Sequence, residues 1–186
     1  MMSSETRQIP HSSQTVGPYF SIGLEYLNDR MIEVEGSVEG QIEIRGKVLD
    51  RDGAPVSDAM LEFWSTGDRR DVPGKFERHE VQIFKRVATD LKGCFEARMG
   101  RPVANRLEDG RVQAPHAMVL VFARGLMRHL ITRVYLQDEN TNQADPVMLS
   151  IPHERRATLV AKPHEKDVYV WDVRLQGPDE TVFFVW

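Results

Sequence analysis

A histidine stands at the start of a continuous apolar run in this chain, within the stretch APHAMVLVFARG (residues 114–125). An imidazole at such a place could bind a metal ion or transfer protons near neutral pH. The five other histidines of the chain are His11, His79, His129, His153 and His164. His116 differs from them because it begins a buried strand directly after a proline, which makes it the first candidate for chemistry.

A second candidate is an arginine in the segment HLITRVYLQ (residues 129–137), which alternates like a strand. Alternation puts Arg133 on the less apolar face, beside His129 and Tyr135. A guanidinium there could stabilise an anionic ligand or orient a partner group. By itself the pattern favours a simpler interpretation, in which Arg133 pairs with a carboxylate at a subunit contact.

Other local signals of chemistry are few. No nucleophile elbow, P-loop, dinucleotide-binding fingerprint or HExxH motif occurs in the sequence. Gly17-Pro18, in TVGPY, predicts a turn that could bring backbone close to a ligand, because glycine has no Cβ. A plain surface loop explains the same pair.

The elements that must position these residues are predicted to be strands. QIEIRGKVLD alternates, with Ile42, Ile44 and Val48 on one face, and DAMLEFW follows at hairpin distance. VQIFKRVATD and CFEARM form a second candidate hairpin around the turn LKG. AMVLVFA is apolar throughout, which is typical of a strand covered on both faces.

The last third of the chain predicts one helix and two further strands. DPVMLSI has Asp145 as N-cap and Pro146 at the first helical position. DVYVWDVRLQ alternates and ETVFFVW is an apolar closing strand. Many short strands between turns predict an all-β sandwich or barrel over residues 41–186, preceded by a polar arm over residues 1–40.

Composition limits the classes of function. The chain has 186 residues, 41% of them hydrophobic, with a net charge of −4 and no block of Lys or Arg. This argues for one domain and against nucleic acid or an anionic membrane as a partner. A single cysteine, Cys94, suits a reducing compartment, and neither a signal peptide nor an apolar run of about 18 residues occurs. We therefore expect a cytoplasmic protein.

Five segments in order give the chain a specific resemblance. They are SQTVGPYFSIGL, IRGKVLDRDGAPVSDAMLEFW, APHAMVLVFARGLMRHLITRVYL, ERRATLVAK and DVRLQGPDETVFF. Together they resemble the intradiol ring-cleavage dioxygenases, and among these the non-catalytic (alpha) subunits of the two-subunit enzymes that cleave 3,4-dihydroxybenzoate. The resemblance implies a mixed β-sandwich of the intradiol type, with an extended N-terminal arm and one or two short helices.

The resemblance also implies where iron ligands would stand. Catalytic members hold a ferric ion with two tyrosinates and with two histidines in an H-x-H pair at the start of the central strand. This chain has His116 followed by Met118 at the pair, and a thioether is a poor ligand for a hard ferric ion. The second tyrosine falls near Asn105, and no tyrosine occurs between Tyr26 and Tyr135. We expect no metal site in this chain.

For such a subunit the resemblance implies a role at an interface. The ferric ion belongs to a catalytic (beta) partner subunit, and the small aromatic substrate lies between the two chains. The residues of this chain that match the family's pocket contributions are Thr15, Gly17, Pro18 and Arg133. Spacing in the loop over residues 64–80 departs from the family pattern, so no site is carried over from there.

Two alternatives stay open from the sequence. The chain could be a free-standing β-sandwich that has inherited the scaffold and binds something else, in which case it needs no partner subunit. It could also keep activity through a remodelled metal site using His116, His129 and His79. The second alternative is the weaker one, because His116 and His129 fall on separate strands with no carboxylate spaced near either.

Overall fold

The computed structural model describes residues 40–66, 82–107 and 109–185. These residues form eleven strands, which in chain order are β1 Gln41–Leu49, β2 Met60–Thr66, β3 Gln82–Ala88, β4 Cys94–Gly100, β5 Asn105–Arg106, β6 Val112–Gln113, β7 His116–Phe122, β8 Leu130–Leu136, β9 Val160–Glu165, β10 Val168–Val170 and β11 Val173–Arg174. One α-helix, α1, spans Pro146–Ser150 and lies between two 3-10 helices, Asn140–Ala144 and His153–Leu159.

The strands form two layers that share β9. In the first layer β3, β2, β7 and β8 are antiparallel neighbours in that order, and Tyr135 and Leu136 of β8 then pair in parallel with the start of β9. In the second layer β9 pairs with β10, β10 pairs in parallel with β1, and β1 pairs with β4. Parallel and antiparallel pairs therefore occur together, which makes the sheet mixed.

The core lies between these layers. Phe63 of β2 and Phe95 of β4 approach across it, with ring centroids 6.0 Å apart. Buried residues of both layers belong to the same cluster, among them Ile44, Val119 and Trp171. The predicted all-β sandwich with short helices is confirmed.

Both predicted hairpins are wrong, although their strands exist. β1 pairs with β4, β10 and β11, whereas β2 pairs with β3 and β7. β3 and β4 likewise belong to different layers. Each of the two connections passes from one layer to the other, and alternation within a strand carries no information on whether the next strand lies beside it or across the core.

The central strand β7 is covered less evenly than its sequence predicts. Ala117, Val119 and Val121 are fully buried, while the residues between them are only half-buried. The expected coverage of both faces is therefore wrong, because the second face borders a cavity. The predicted closing strand is also absent from the described residues, where Phe184 makes only a single bridge to Ile131.

Helix α1 begins as predicted. The Asp145 carboxylate accepts hydrogen bonds from the backbone N–H groups of Val147 and Met148, at 2.8 and 2.9 Å, and Pro146 occupies the first turn. The helix has only five residues, so its stability depends on this cap and on burial of Met148.

The described strands begin at Gln41, and the predicted arm lies almost wholly outside the described residues. The boundary between residues 40 and 41 stays a prediction, as does packing of the arm on a partner. Among the described segments no helix has both the length and the apolar character needed to cross a membrane.

Candidate ligand-binding cavity

A row of three side chains crosses the first layer and forms one wall of a cavity. Trp64 of β2 is the pairing partner of Met118 of β7, which in turn pairs with Arg133 of β8. Residues paired in this way project from the same face with their Cβ atoms about 5 Å apart. The cavity has a volume of about 470 Å³. Its lining residues are Trp64, Ser65, Thr66, Asn105, Gln113, His116, Met118, Leu120 and Arg133.

His116 lies at one end of this wall and is held in a fixed orientation. Its Nδ1 atom donates to the carbonyl oxygen of Ala114 at 2.7 Å, and its ring stacks on Tyr135 with centroids 5.4 Å apart. Burial, and next the positive charge of Arg133, lower the pKa of His116 below its ordinary value of 6.5. The imidazole is therefore neutral at pH 7, with Nε2 as its free acceptor.

Arg133 is buried, with 6% of its surface exposed, and the described residues that contact it are uncharged. Nη1 donates to the Tyr135 hydroxyl at 3.3 Å. The amide oxygen of Gln113, turned toward the guanidinium, accepts from Nη1 at 3.1 Å and from Nη2 at 3.2 Å. The ring of Phe184 lies 6.0 Å from Cζ. Within the described part of this chain, the carboxylate partner favoured by the simpler interpretation is absent.

The buried carboxylate of Asp145 is connected to Arg133 through the hydroxyl of Tyr135. The Tyr135 hydroxyl donates to Asp145 Oδ1 at 3.1 Å, and the Ala114 N–H donates to Oδ2 at 2.8 Å. Burial raises the pKa of Tyr135 well above its usual range, an effect that Asp145 reinforces and Arg133 opposes. The phenol thus stays protonated and links the carboxylate of Asp145 to the guanidinium of Arg133.

The structure brings four of the residues singled out in the sequence to this one cavity. They are Asn105, His116, Met118 and Arg133. Thr15, Gly17, Pro18 and His79 lie outside the described residues. Of the loop over residues 64–80, only Trp64 to Thr66 are described, as the end of β2.

His129 does not join this group. Its ring packs against Phe122, with centroids 5.3 Å apart, at the opposite end of β7 from His116. The two ends of β7 are six residue steps apart, or about 20 Å at roughly 3.3 Å per step. One metal ion cannot contact both rings in this arrangement.

Sequence reasoning missed part of the cavity. Gln113 and Trp64 carry no local signal. Trp64 reaches the cavity by pairing with Met118 of β7, and Gln113 takes part through its contact with Arg133 of β8. Asp145 is recognisable only as a helix cap, although the same carboxylate anchors Tyr135. The one available signal is alternation in β8, which places Tyr135 and Arg133 on the same face.

Comparisons with known proteins agree with this fold. A family model described as Dioxygenase matches residues 15–177. A protocatechuate 3,4-dioxygenase alpha chain from Burkholderia cepacia is 41% identical, over 92% of this chain and 95% of the relative. A chain of the same name from Pseudomonas putida is 34% identical, over 92% of this chain and 94% of the relative.

The chain belongs to the intradiol dioxygenase family. Solved structures of the family share its fold at low identity. Hydroxyquinol 1,2-dioxygenase from Pseudomonas putida DLL-E4 superposes with a TM-score of 0.59 at 21% identity, over 90% of this chain and 68% of that one. Catechol 1,2-dioxygenase from Pseudomonas arvilla C-1 superposes with a TM-score of 0.57 at 19% identity, over 80% of this chain and 57% of that one.

Intradiol dioxygenases depend on non-haem iron, so the donor set of this cavity can be compared with what iron needs. Of the cavity residues only His116 offers a ligand atom of the required type, while Met118 offers a thioether and Asn105 a neutral amide. Arg133 adds a positive charge to the same wall, and Tyr135 keeps its proton. No group of three or more His, Cys, Asp or Glu suited to a metal ion occurs in the described segments. The described residues therefore do not fit a ferric ion.

Proposed function

We propose that this chain is the non-catalytic alpha subunit of a protocatechuate 3,4-dioxygenase. With an iron-binding beta subunit it forms a complex that cleaves 3,4-dihydroxybenzoate between its hydroxyl-bearing carbons. Both atoms of dioxygen enter the product, 3-carboxy-cis,cis-muconate, a step of the β-ketoadipate route of aromatic catabolism. In this proposal the ferric ion is bound by the beta subunit, and the complex is cytoplasmic.

One observation carries the proposal. The described layers have the fold of the family, yet the cavity at the start of β7 presents an arginine, a thioether and a neutral histidine where a ferric ion needs anionic donors. If the described residues of this chain do not hold the iron, a dioxygenase built on it needs another chain to supply the metal. The two relatives named as alpha chains, matched over nearly their full length, support the same conclusion.

The proposal also assigns four residues to the substrate pocket between the subunits. Thr15, Gly17 and Pro18 would contribute from the arm. Arg133 is buried against the cavity rather than on the outer surface, so its contribution requires that the cavity open toward the partner chain. There the guanidinium would stabilise the anionic substrate or product, or orient a group of the partner.

The proposal predicts that the neighbouring reading frame encodes an iron-binding relative, and co-expression of this chain with that relative tests it. We expect the two chains to purify as one complex that consumes oxygen and 3,4-dihydroxybenzoate in equal amounts. Each chain expressed alone should lack this activity. Failure of the chains to associate, together with a stable monomer or homodimer of this chain, would instead support the free-standing binding module.

A further inference from the structure

Gln113 holds both terminal nitrogens of the Arg133 guanidinium with a neutral group. Its amide oxygen accepts hydrogen bonds from Nη1 at 3.1 Å and from Nη2 at 3.2 Å. A carboxylate is the common partner of two guanidinium donors in proteins. Here an amide takes that place, and it supplies an acceptor oxygen without a negative charge.

The second hydrogen-bonded contact of the guanidinium is neutral as well. Nη1 donates to the Tyr135 hydroxyl at 3.3 Å, and burial raises the pKa of this phenol, so it is protonated at pH 7. The carboxylate of Asp145 lies one hydrogen bond further away, where it accepts from the same hydroxyl. No described residue therefore neutralises the guanidinium by direct contact.

The cavity contains no opposing charge among its described lining residues. Arg133 is the only one of these residues that is charged at pH 7, since His116 is neutral. Asn105, which pairs with Gln113 between β5 and β6, is a second neutral amide that lines the cavity. Because Arg133 is buried, water screens its charge poorly. A ligand in the cavity therefore meets a positive electrostatic potential.

Neighbouring contacts hold the Gln113 amide in place. Gln113 is buried, and it ends the short strand β6 that pairs with β5. The next N–H group, that of Ala114, donates to Asp145 Oδ2 at 2.8 Å. The same carboxylate accepts from Tyr135, so Asp145 positions both of the neutral groups that contact the guanidinium.

We propose that Gln113 is a specificity-determining residue, which makes the pocket prefer an anionic ring over an uncharged one. Gln113→Glu would keep an acceptor for the two guanidinium nitrogens but cancel the charge of Arg133, whereas the natural glutamine orients the guanidinium and leaves its charge available. This inference rests on the proposed function, in which Arg133 contributes to the substrate pocket. It adds that the preference for charge is set at Gln113, in a different strand.

The test uses the complex of this chain with its iron-binding partner and two probes that share a ring and two hydroxyls. One is 3,4-dihydroxybenzoate, an anion at pH 7, and the other is catechol, which has no carboxylate. Gln113→Glu should raise the KM for 3,4-dihydroxybenzoate by about ten-fold or more, with a smaller effect on kcat. The inhibition constant of catechol should stay nearly unchanged, because an uncharged ring gains little from the guanidinium.

Gln143→Glu is the matched control, because it makes the same substitution at an exposed glutamine of the 3-10 helix Asn140–Ala144. It should leave both constants unchanged. An active complex in which Gln113→Glu changes neither constant, or weakens both probes equally, would overturn the inference and leave the proposed function standing. Absence of an active complex with the wild-type chain would overturn the proposed function, and this inference with it.

A second variant keeps the test decisive if Gln113→Glu does not fold. Asn105→Asp adds a negative charge at the other amide of the β5–β6 pair, so it should also weaken 3,4-dihydroxybenzoate more than catechol. Near-ultraviolet circular dichroism of each variant establishes that the fold is intact. Equal effects on the two probes in a folded Asn105→Asp variant would contradict the inference.

Discussion

The two faces of the β2–β7–β8 sheet differ sharply in chemistry although they belong to the same strands. The face toward the core carries Phe63, Val119 and Val134, each no more than 1% exposed. The opposite face carries Trp64, Met118 and Arg133, the row that borders the cavity. Burial on the first face holds the layers together, whereas the second face forms one wall of the cavity.

This difference explains how the fold can be kept while the residues that border the cavity change. Because successive residues of a strand project to opposite faces, side chains on the cavity face can change without altering the core. Met118 and Arg133 can stand on the cavity face in place of other side chains, while Val119 and Val134 beside them keep the layers packed. A substitution can therefore change the cavity without changing the fold, even when the residue next to it in the strand belongs to the core.

The largest effect is expected from the core face. Phe63→Ala should lower the free energy of unfolding by about 3 to 5 kcal/mol, because it leaves a cavity beside Phe95. The matched control is the adjacent Trp64→Ala, on the cavity face, which should cost clearly less. Chemical denaturation of both variants measures the difference, and equal losses would mean that the two faces contribute alike to stability.

A smaller loss of stability is expected at Asp145, which both caps helix α1 and holds Tyr135 beside the cavity. Asp145→Asn keeps the size of the side chain but replaces one acceptor oxygen of a fully buried group, so stability should fall by about 2 to 3 kcal/mol. Asp172→Asn provides the control, since that carboxylate accepts one exposed backbone hydrogen bond from Lys47. A near-neutral effect of Asp145→Asn would show that the buried network does not support the cavity wall.

For the cavity face itself, function should change more than stability. Arg133→Met should lower the free energy of unfolding by only about 1 to 2 kcal/mol, because Gln113 and Tyr135 each lose a donor while the buried charge is also removed. In the mixed oligomer the same change should impair turnover and leave the iron content intact. Unchanged kinetics would show that Arg133 has only a structural role.

The smallest expected effect is on the pH dependence of the free energy of unfolding. Burial and Arg133 lower the pKa of His116 in the folded chain, while the Ala114 carbonyl and Asp145 oppose them weakly; Tyr135 is the remaining titratable neighbour. Below pH 6.5 the unfolded chain therefore binds a proton at this residue before the folded chain does. Stability should fall as the pH decreases from about 6.5 through the lowered folded pKa.

The matched pair for this effect is His116→Gln and His129→Gln. The first substitution should flatten the dependence of the unfolding free energy on pH below 6.5, since it removes the group that titrates differently in the two states. The second lies at the other end of β7 and should keep the wild-type slope. Identical slopes for the two variants would contradict the assignment to His116.

Local patterns in the sequence miss β9 and predict a closing strand that the described residues do not form. They do predict β1 to β4, β7, β8, the segment that contains β10 and β11, and the Asp145 cap. Each of these depends on residues close together in the chain. The two predicted hairpins failed because pairing depends on which layer the next strand enters, and no local period encodes that choice.

The same limit applies to the cavity. His116, Met118 and Asn105 were found through the family resemblance, and Arg133 through alternation and the resemblance together. The contacts of Arg133 with Gln113, and of Tyr135 with Asp145, join segments that only the folded chain brings together.

Iron analysis of this chain and of its complex tests the central claim most directly. The chain purified alone should contain iron far below one atom per chain. The complex with the iron-binding partner should contain one atom per partner chain, a content that is unchanged by His116→Gln in this chain. One iron atom per chain in the isolated protein, lost in His116→Gln, would contradict the claim that this cavity does not hold the metal.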